Sequence, residues 1–443
     1  MNYSRRKFLD YSIRNLTALG AAGVLGRLST INASAATASP YRALVCIFLA
    51  GGNDCHNTVI PIATSSQGYA DYVAARSELA LPQAQLLPIA VGANTYALHP
   101  KLKEIQSLYN GGKAALLANV GNLVVPTTRA QYLTQQVRVP DALYSHSNQT
   151  NQWQTATPSD LASTGWAGRT ADLLGQNSQF PMVVNVGGNS VFATGATAAP
   201  TTVQGNAAIA LTSTSSLARL AAIQQFLTFD NGVKLMQIAN GITTRGLNDS
   251  SLLKMALAAG VPLQTAFPTT GLGAQLKAIA QIINVRGALG VSRQIFFVSM
   301  GGFDTHTSQL PTHDKLLQTL SQGLGAFYNA TLEMGVDQSV TAFTNSEFGR
   351  SLQPNNAGTD HAWGGHAIIV GGSVHGGTMY GTYPLLAFGG PDDATTHGLM
   401  IPTTSVEQYG ATLAKWFGVP PGSIPSIFPT VSNFSTADLS FLG

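Results

Sequence analysis

Residues 41–61 read YRALVCIFLAGGNDCHNTVIP, and this stretch decides the fold. The run 43–50 is apolar without alternation. That is the pattern of a strand buried on both faces, as in a parallel sheet covered by helices. The run breaks at Gly51-Gly52 and then presents Asn53, Asp54, His56, Asn57 and Thr58. Ligands of open α/β sheets sit at the carboxyl ends of the strands. Asp54 is therefore placed where a site would be, and its partners must come from elsewhere in the chain.

Working outward, residues 84–92 read as a loop and residues 101–109 as a helix, with Leu102, Ile105, Leu108 and Tyr109 at helical spacing. Gly111-Gly112 stops that helix, and 114–120 is the next buried strand. Strand, helix, strand implies a right-handed βαβ crossover. A third apolar run, 294–300, ends in Gly301-Gly302-Phe303-Asp304-Thr305-His306, repeating the design of the first. A helix over 314–334 follows, then a short strand over 339–344 running into Asn345-Ser346-Glu347-Phe348-Gly349-Arg350. A polar loop carries Asp360, His361 and His366 ahead of a strand at 367–370. Ser405 with Gln408 three residues on predicts the capped start of a last helix.

Between 126 and 293 the pattern is less regular. A strand is expected at 182–186, an exposed Ala/Thr/Ser-rich excursion at 193–216, and helices at 217–240, 250–259 and 272–288. The expected architecture is α/β: a mostly parallel central sheet flanked by helices, forming one domain over 39–443 with a mixed insertion at about 126–293.

The first 38 residues carry a different message. Ser4-Arg5-Arg6-Lys7-Phe8-Leu9 is a twin-arginine motif, followed by a weakly apolar segment and small-residue cleavage sites at Ala33-Ser34-Ala35 and Ala36-Thr37-Ala38. A twin-arginine signal peptide over 1–38 is expected, with the translocase as partner during export and a periplasmic or secreted destination. The segment is too short and weak for a stable membrane span. Arg5, Arg6, Lys7, Arg14 and Arg27 against Asp10 make it +4, so the formal +3 of the chain becomes about −1 without it. No nucleic-acid partner is implied. Charged residues make up only 10% of the chain, against roughly 25% in average domains. The surface must then be uncharged polar. Cys46 and Cys55 are separated by extended chain of roughly 30 Å, so no disulfide framework is expected. No G-x-G-x-x-G follows the opening strand, which argues against a dinucleotide-dependent oxidoreductase.

Three apolar strands thus end in an acid: Asp54, Asp304 and Glu347. Clustered carboxylates repel unless a cation or proton joins them. Adding imidazoles favours a transition-type divalent metal over calcium or magnesium. The candidate ligands are Asp54, Asp304, His306, Glu347, Asp360, His361 and His366. Each also has a bland reading: Asp54 as a helix cap, Glu347 paired with Arg350, Asp360-His361 as a loop hydrogen bond. Their joint placement at strand ends is the stronger signal. His99, His313, His375 and His397 read as structural or exposed, and Cys55 as a buried thiol.

The twin-arginine signal, Gly51-Gly52-Asn53-Asp54 with Asn57-Thr58, Gly302-Phe303-Asp304-Thr305-His306, Ser346-Glu347-Phe348-Gly349-Arg350 and Thr359-Asp360-His361 together resemble the exported bacterial family of domain of unknown function 1501. That family resembles a distant branch of the alkaline phosphatase and sulfatase superfamily. The resemblance implies metal at the strand ends and attack on phosphate or sulfate esters by a hydroxyl. Asp54 would match the first-strand metal acid, and Asp304 with His306 a second metal position. Glu347 and Phe348 would stand where the superfamily has Asp and His. Asp360-His361 would match either the later histidine or the Asp-His pair itself. Phe348 cannot bind metal, which puts a complete two-zinc site in question. The nucleophile would be Ser145 or Thr58, and Asn53, Arg169 or Arg350 would hold an anionic ester oxygen. The expected metal is zinc first, with manganese, calcium or magnesium as alternatives. The expected function is exported metal-dependent hydrolysis of small-molecule or polymer-borne phosphate or sulfate esters. The rival is a non-catalytic protein of the same fold that binds an envelope component or partner.

Overall fold

A computed structural model describes residues 40–443, apart from 65, 93, 159–161, 176–177 and 205–215. The segment expected to be a signal peptide, and residues 205–215 of the 193–216 stretch, lie outside the described residues. The strands are β1 Arg42–Leu49, β2 Val59–Pro61, β3 Leu87–Val91, β4 Asn94–Leu98, β5 Ala114–Gly121, β6 Val183–Val186 and β7 Thr201–Val203. They continue with β8 Arg293–Met300, β9 Val340–Asn345, β10 Arg350–Pro354, β11 Thr359–His361, β12 Gly365–Gly371, β13 Met379–Gly381 and β14 Thr404–Ser405.

Nine of these form one sheet in the order β13-β5-β12-β9-β1-β8-β6-β7, with β14 beside β5. Every pairing in it is parallel except those of β12, which runs antiparallel to both β5 and β9. The reversal matters for function. Because β12 runs backwards, the residues that precede it reach the same edge as those that follow β1, β8 and β9.

The apolar run of β1 is explained by burial on both faces. Ala43, Val45, Ile47 and Leu49 pack into one helical layer; Leu44, Cys46 and Phe48 pack into the other. The first layer holds the helices Lys103–Asn110, Gly271–Asn284 and Gln309–Glu333, through residues such as Ile105, Ile279 and Leu320. The second holds Trp166–Leu174 and Val406–Phe417, through Trp166, Tyr409 and Leu413. The capping box of Ser405 and Gln408 is present, each side chain bonded to the other's backbone N–H.

Several expectations need correction. Residues 87–91 are not loop but a strand, paired with β4 in a small antiparallel sheet with β2. The 126–293 stretch supplies β6 and β7 to the central sheet and helices to both layers. Ala193 and Ala198 are buried, so the start of the expected excursion is packed, not exposed. Cys46 and Cys55 are free and buried.

Gly51 and Gly52 have φ of 122° and 86°, a region that favours glycine. A Cβ on Gly51 would stand 2.2 Å from the Asp304 backbone nitrogen, and one on Gly52 2.6 Å from the Phe348 ring. The glycine pair thus lets the loops after β8 and β9 close over the end of β1.

Candidate metal centre

Asp304 follows β8 and is the hub of the site. Arg350 donates from Nη1 to Asp304 Oδ1 at 2.8 Å. His306 Nε2 stands 3.0 Å and His361 Nε2 3.2 Å from the same oxygen. The two Nε2 atoms are 3.0 Å apart. His146 Nε2 approaches the other carboxylate oxygen at 3.5 Å. Ligand atoms of His146, Asp304 and His361 all lie within 4.8 Å of one another.

Local structure explains the convergence. In the β10–β11 ladder, Arg350 and His361 stand opposite each other. The Thr359 N–H donates to the Thr305 carbonyl at 3.2 Å, tying the loop after β8 to β11 and laying His306 against His361. His146 opens the helix His146–Thr155, reached through a turn in which Tyr144 holds φ at 71°. Left-handed backbone is costly for a non-glycine residue and recurs at functional sites. Here the turn delivers the Tyr144 carbonyl to His361.

The outer ring of contacts fixes the inner one. His361 Nδ1 donates to the Tyr144 carbonyl at 2.9 Å. His146 Nδ1 faces Glu347 Oε1 at 2.8 Å, and His306 Nδ1 faces Asp360 Oδ1 at 3.4 Å. With acceptors bonded to the Nδ1–H of His146 and His361, and a carboxylate facing that of His306, the lone pair of each imidazole is left on Nε2. All three Nε2 atoms then point at one carboxylate. Carboxylates or carbonyls behind inward-facing imidazoles are the usual support of metal-bound histidine. Tetrahedral bonds of roughly 2.0–2.1 Å put zinc ligands about 3.3 Å apart. The 3.0–3.2 Å spacings around Asp304 Oδ1 are close to that. The close group of two imidazoles and one carboxylate, with His306 against two of its members, suits a transition ion better than calcium or magnesium.

The Phe348 ring is buried and forms a wall, with centroids 4.9 Å from His146 and 4.6 Å from His361. Partial burial works to raise the Asp304 pKa, but the hydrogen bond and the charge of Arg350, with the facing imidazoles, outweigh it and hold the carboxyl below its ordinary value. Burial lowers the His361 pKa, only partly opposed by its bond to the Tyr144 carbonyl. Both shifts keep the donors in their ligating forms.

Of the residues singled out in the sequence, Asp304, His306 and His361 converge. Glu347 and Asp360 stand behind imidazoles instead of facing the centre. Arg350 is buried, and its other N–H groups go to the Gly51 carbonyl and to Thr359. It supports Asp304 instead of offering a free clamp. Asp54 is a correction: its carboxylate is buried, ion-paired with Arg76, bonded to Gln309, and caps the next helix by accepting from the His56 N–H. Its bland reading, a helix cap, accounts for part of this. Thr58 is buried and donates to the Asp54 carbonyl at 2.7 Å. Asn53 is buried between Thr58, His313 and Ser346. His366 is buried on β12 itself, where its Nδ1 accepts from the Asn119 N–H at 3.1 Å. Arg169 spends its guanidinium on the carbonyls of Thr155, Thr164 and Ile427, tying three helices together. Ser145 stays beside the cluster at the helix start, its hydroxyl near Asn148 Oδ1 at 3.2 Å. His146 is the member the sequence reading missed. It adjoins Ser145 in a polar stretch, but it arrives on a helix, and a search of strand ends does not see it.

A groove of about 330 Å³ opens beside the cluster, lined by Ser351, Gln353, Asp360, His361 and His397 among others. Among the described residues no helix is long and apolar enough to cross a membrane.

Comparison with solved structures finds similarity to the PsFucS1 sulfatase from Pseudoalteromonas sp. at 9% identity, covering 89% of this chain and 71% of that one, with a TM-score of 0.35. It finds similarity to the phosphonate monoester hydrolase of Agrobacterium radiobacter at 9% identity, covering 88% and 77%, with a TM-score of 0.34. A third similar structure is a protein in the alkaline phosphatase superfamily from Vibrio parahaemolyticus, at 8% identity, covering 86% and 68%, with a TM-score of 0.32. No curated protein matches the chain in sequence. The profile described as "Protein of unknown function (DUF1501)" matches residues 41–406, and the chain belongs to that family.

Proposed function

We propose that the chain is an exported, metal-dependent hydrolase of phosphate or sulfate esters, acting in the periplasm or outside the cell after passage through the twin-arginine translocase. The observation that carries the metal reading is the common aim of three imidazole Nε2 atoms at Asp304, each with its Nδ1 held from behind. His146, His361 and Asp304, with His306 beside them, would hold one ion of the zinc type. Such an ion polarises an ester oxygen and lowers the pKa of a hydroxyl or water beside it. The ester class follows from the family's resemblance to phosphatases and sulfatases.

The chain's own residues have separable parts in this reading. Glu347 and the Tyr144 carbonyl keep His146 and His361 in the tautomer that presents Nε2. Arg350 anchors Asp304. Phe348 walls the centre off from the core. Ser145 is the candidate nucleophile, and the first turn of its helix offers N–H groups to an anionic oxygen. The adjoining groove would take the group that carries the ester.

The test is metal analysis of the purified mature chain, with turnover of aryl phosphate and aryl sulfate by the wild type and by Asp304→Ala, His361→Ala and Ser145→Ala. Stoichiometric zinc that is lost in the first two, with hydrolysis lost in all three, is the expected result. A folded, metal-free chain, or hydrolysis untouched by these changes, would sink the proposal.

A second reading has its own observation. Thr58, Ser346 and Arg350 are all committed to protein partners, so the anion-binding groups of the site are few. A non-catalytic protein that binds an envelope component at the same metal would keep stoichiometric zinc and turn over neither substrate.

A further inference from the structure

The chain between β5 and the helix His146–Thr155 crosses the surface beside the metal centre with little to hold it. Between residues 124 and 148 the one buried residue is Pro140. Tyr132, Leu143 and Tyr144 rest, only partly buried, on a small cluster around Trp363. Gln135, Ala142 and Tyr144 hold φ of 54°, 49° and 71°. Such backbone costs free energy in a non-glycine residue and persists only where surrounding contacts impose it. Segments with few buried contacts are the ones that open locally at low free energy. Yet this segment delivers two parts of the centre. The Tyr144 carbonyl accepts from His361 Nδ1 at 2.9 Å, and His146 faces Glu347 through Nδ1 and Asp304 through Nε2.

Two sets of bonds tie the segment to the body of the fold. Near its start, Arg129 donates from Nε to the Asp393 carbonyl at 2.8 Å and from Nη2 to the Thr395 carbonyl at 3.1 Å. The loop that receives it is firm, because the buried Asp393 carboxylate accepts from the N–H groups of Gly389, Thr395, Gly398 and Leu399. That loop is bonded in turn to β10, the strand that opens with Arg350, through the Leu352 and Gln353 N–H groups. At the far end, the bonds to the loops at the sheet edge are those of His361 and His146.

We infer, on the strength of the metal reading above, that residues 124–145 form a strap fastened by the bound ion, and that Arg129 is a positioning residue for the centre acting through it. An ion held by His146 and His361 needs the Nε2 lone pair of each. That requirement keeps the Nδ1–H of His361 on the Tyr144 carbonyl and keeps His146, just beyond the strap, in place. The ion therefore binds the closed strap more tightly than an open one, and by reciprocity it closes the strap. Without the ion, the strap is left to its thin packing and to Arg129. Loosening the Arg129 end lowers the closed fraction, and apparent affinity falls with that fraction. The effect is transmitted, since Arg129 bonds to carbonyls of Asp393 and Thr395 and to none of the ligand residues.

The experiment follows hydrogen exchange over residues 124–145 by mass spectrometry, and zinc affinity by chelator competition, in the wild type, Arg129→Lys and Arg129→Ala. Zinc should slow exchange of the wild-type strap at least about fivefold, at times too short for β5 to exchange in either state. Arg129→Ala should speed exchange of the zinc-free strap and weaken zinc affinity at least about fivefold, with circular dichroism unchanged. Arg129→Lys should show a smaller loss in the same direction, because an ammonium lacks the fork that serves two carbonyls together. The inference is overturned if zinc binds and strap exchange stays the same, or if folded Arg129→Ala keeps wild-type affinity. Should Arg129→Ala fail to fold, wild-type affinity in Arg129→Lys overturns it instead. A chain that binds no zinc sinks the metal reading itself, and the strap falls with it.

Discussion

Two neighbouring strands end in the same way and meet opposite fates. β1 runs into Gly51-Gly52-Asn53-Asp54, and β8 runs into Gly301-Gly302-Phe303-Asp304. The strands are paired in parallel, so both acids leave from the same edge. Asp54 is 1% exposed and belongs to a closed knot with Arg76 and Gln309. Asp304 has a side chain 46% exposed and collects three imidazoles. The difference lies in what each acid meets. The helix Tyr69–Arg76 places a buried guanidinium on Asp54, which completes the charge and closes the position. Arg350 donates to Oδ1 of Asp304, which His306 and His361 also approach, and leaves Oδ2 to His146. An acid at a strand end marks a place where a site can form. The neighbouring cation decides whether it becomes structure or function.

The largest expected effect comes from breaking the closed knot. Arg76→Ala leaves the Asp54 carboxylate buried without its partner, which should cost about 3–5 kcal/mol of stability. Urea denaturation would measure it, and the residual folded protein should keep its metal. A loss under about 1 kcal/mol would mean that the knot is not the structural half of the pair.

Acid separates the same two regions. Burial pushes the His366 pKa down from 6.5 to about 4, against the opposing Gly365 backbone bond and Asp54 charge. A base with a depressed folded pKa contributes stability that is complete above pH 6.5 and is lost as the pH falls toward 4. The loss should reach roughly 3 kcal/mol. The open histidines should answer the same acidification by releasing metal, since ligation needs neutral imidazole. Urea melts and metal content followed together from pH 7 to pH 4 would check both. A His366→Gln variant should show a flatter stability curve and the same metal release.

A smaller effect is expected behind the centre. Glu347→Ala removes the acceptor that holds His146 in register and should weaken zinc affinity about 10–100-fold, as read by competition with a chelator. An unchanged affinity would remove Glu347 from the support of the site. Smallest is Arg169→Lys, which cannot serve three carbonyls at once. It should cost about 1 kcal/mol in a thermal melt and leave metal affinity unchanged.

Much of the frame was legible. Short apolar runs bounded by turn signals read as strands buried on both faces, so β1, β5 and β8 were found close to their observed limits. β3 was not, because its exposed Pro88 and Ala90 carry no strand signal; its pairing with β4 makes it a strand. Within the site, Asp304, His306 and His361 were visible because the parallel strands and the reversed β12 bring their loops to one edge. Asp54 was misread because the pattern that marks it is identical to that of Asp304, and the guanidinium that captures it sits 22 residues away on a helix. Arg169 was misread for the same reason, its partners being the backbone carbonyls of Thr155 and Ile427 on two other helices and of Thr164 in a loop. His146 was missed because its position depends on the turn at Tyr144.

The sequence by itself determined the layer structure, the edge of the sheet where chemistry can occur, and the residue types that collect there. These follow from apolar periodicity and strand direction, which are local and repetitive. Tertiary structure decided which acid stays open, which histidines face inward, and which arginine supports and which one seals. Those choices depend on contacts between residues up to 299 positions apart, as between Gly51 and Arg350. No short-range pattern encodes where such partners land.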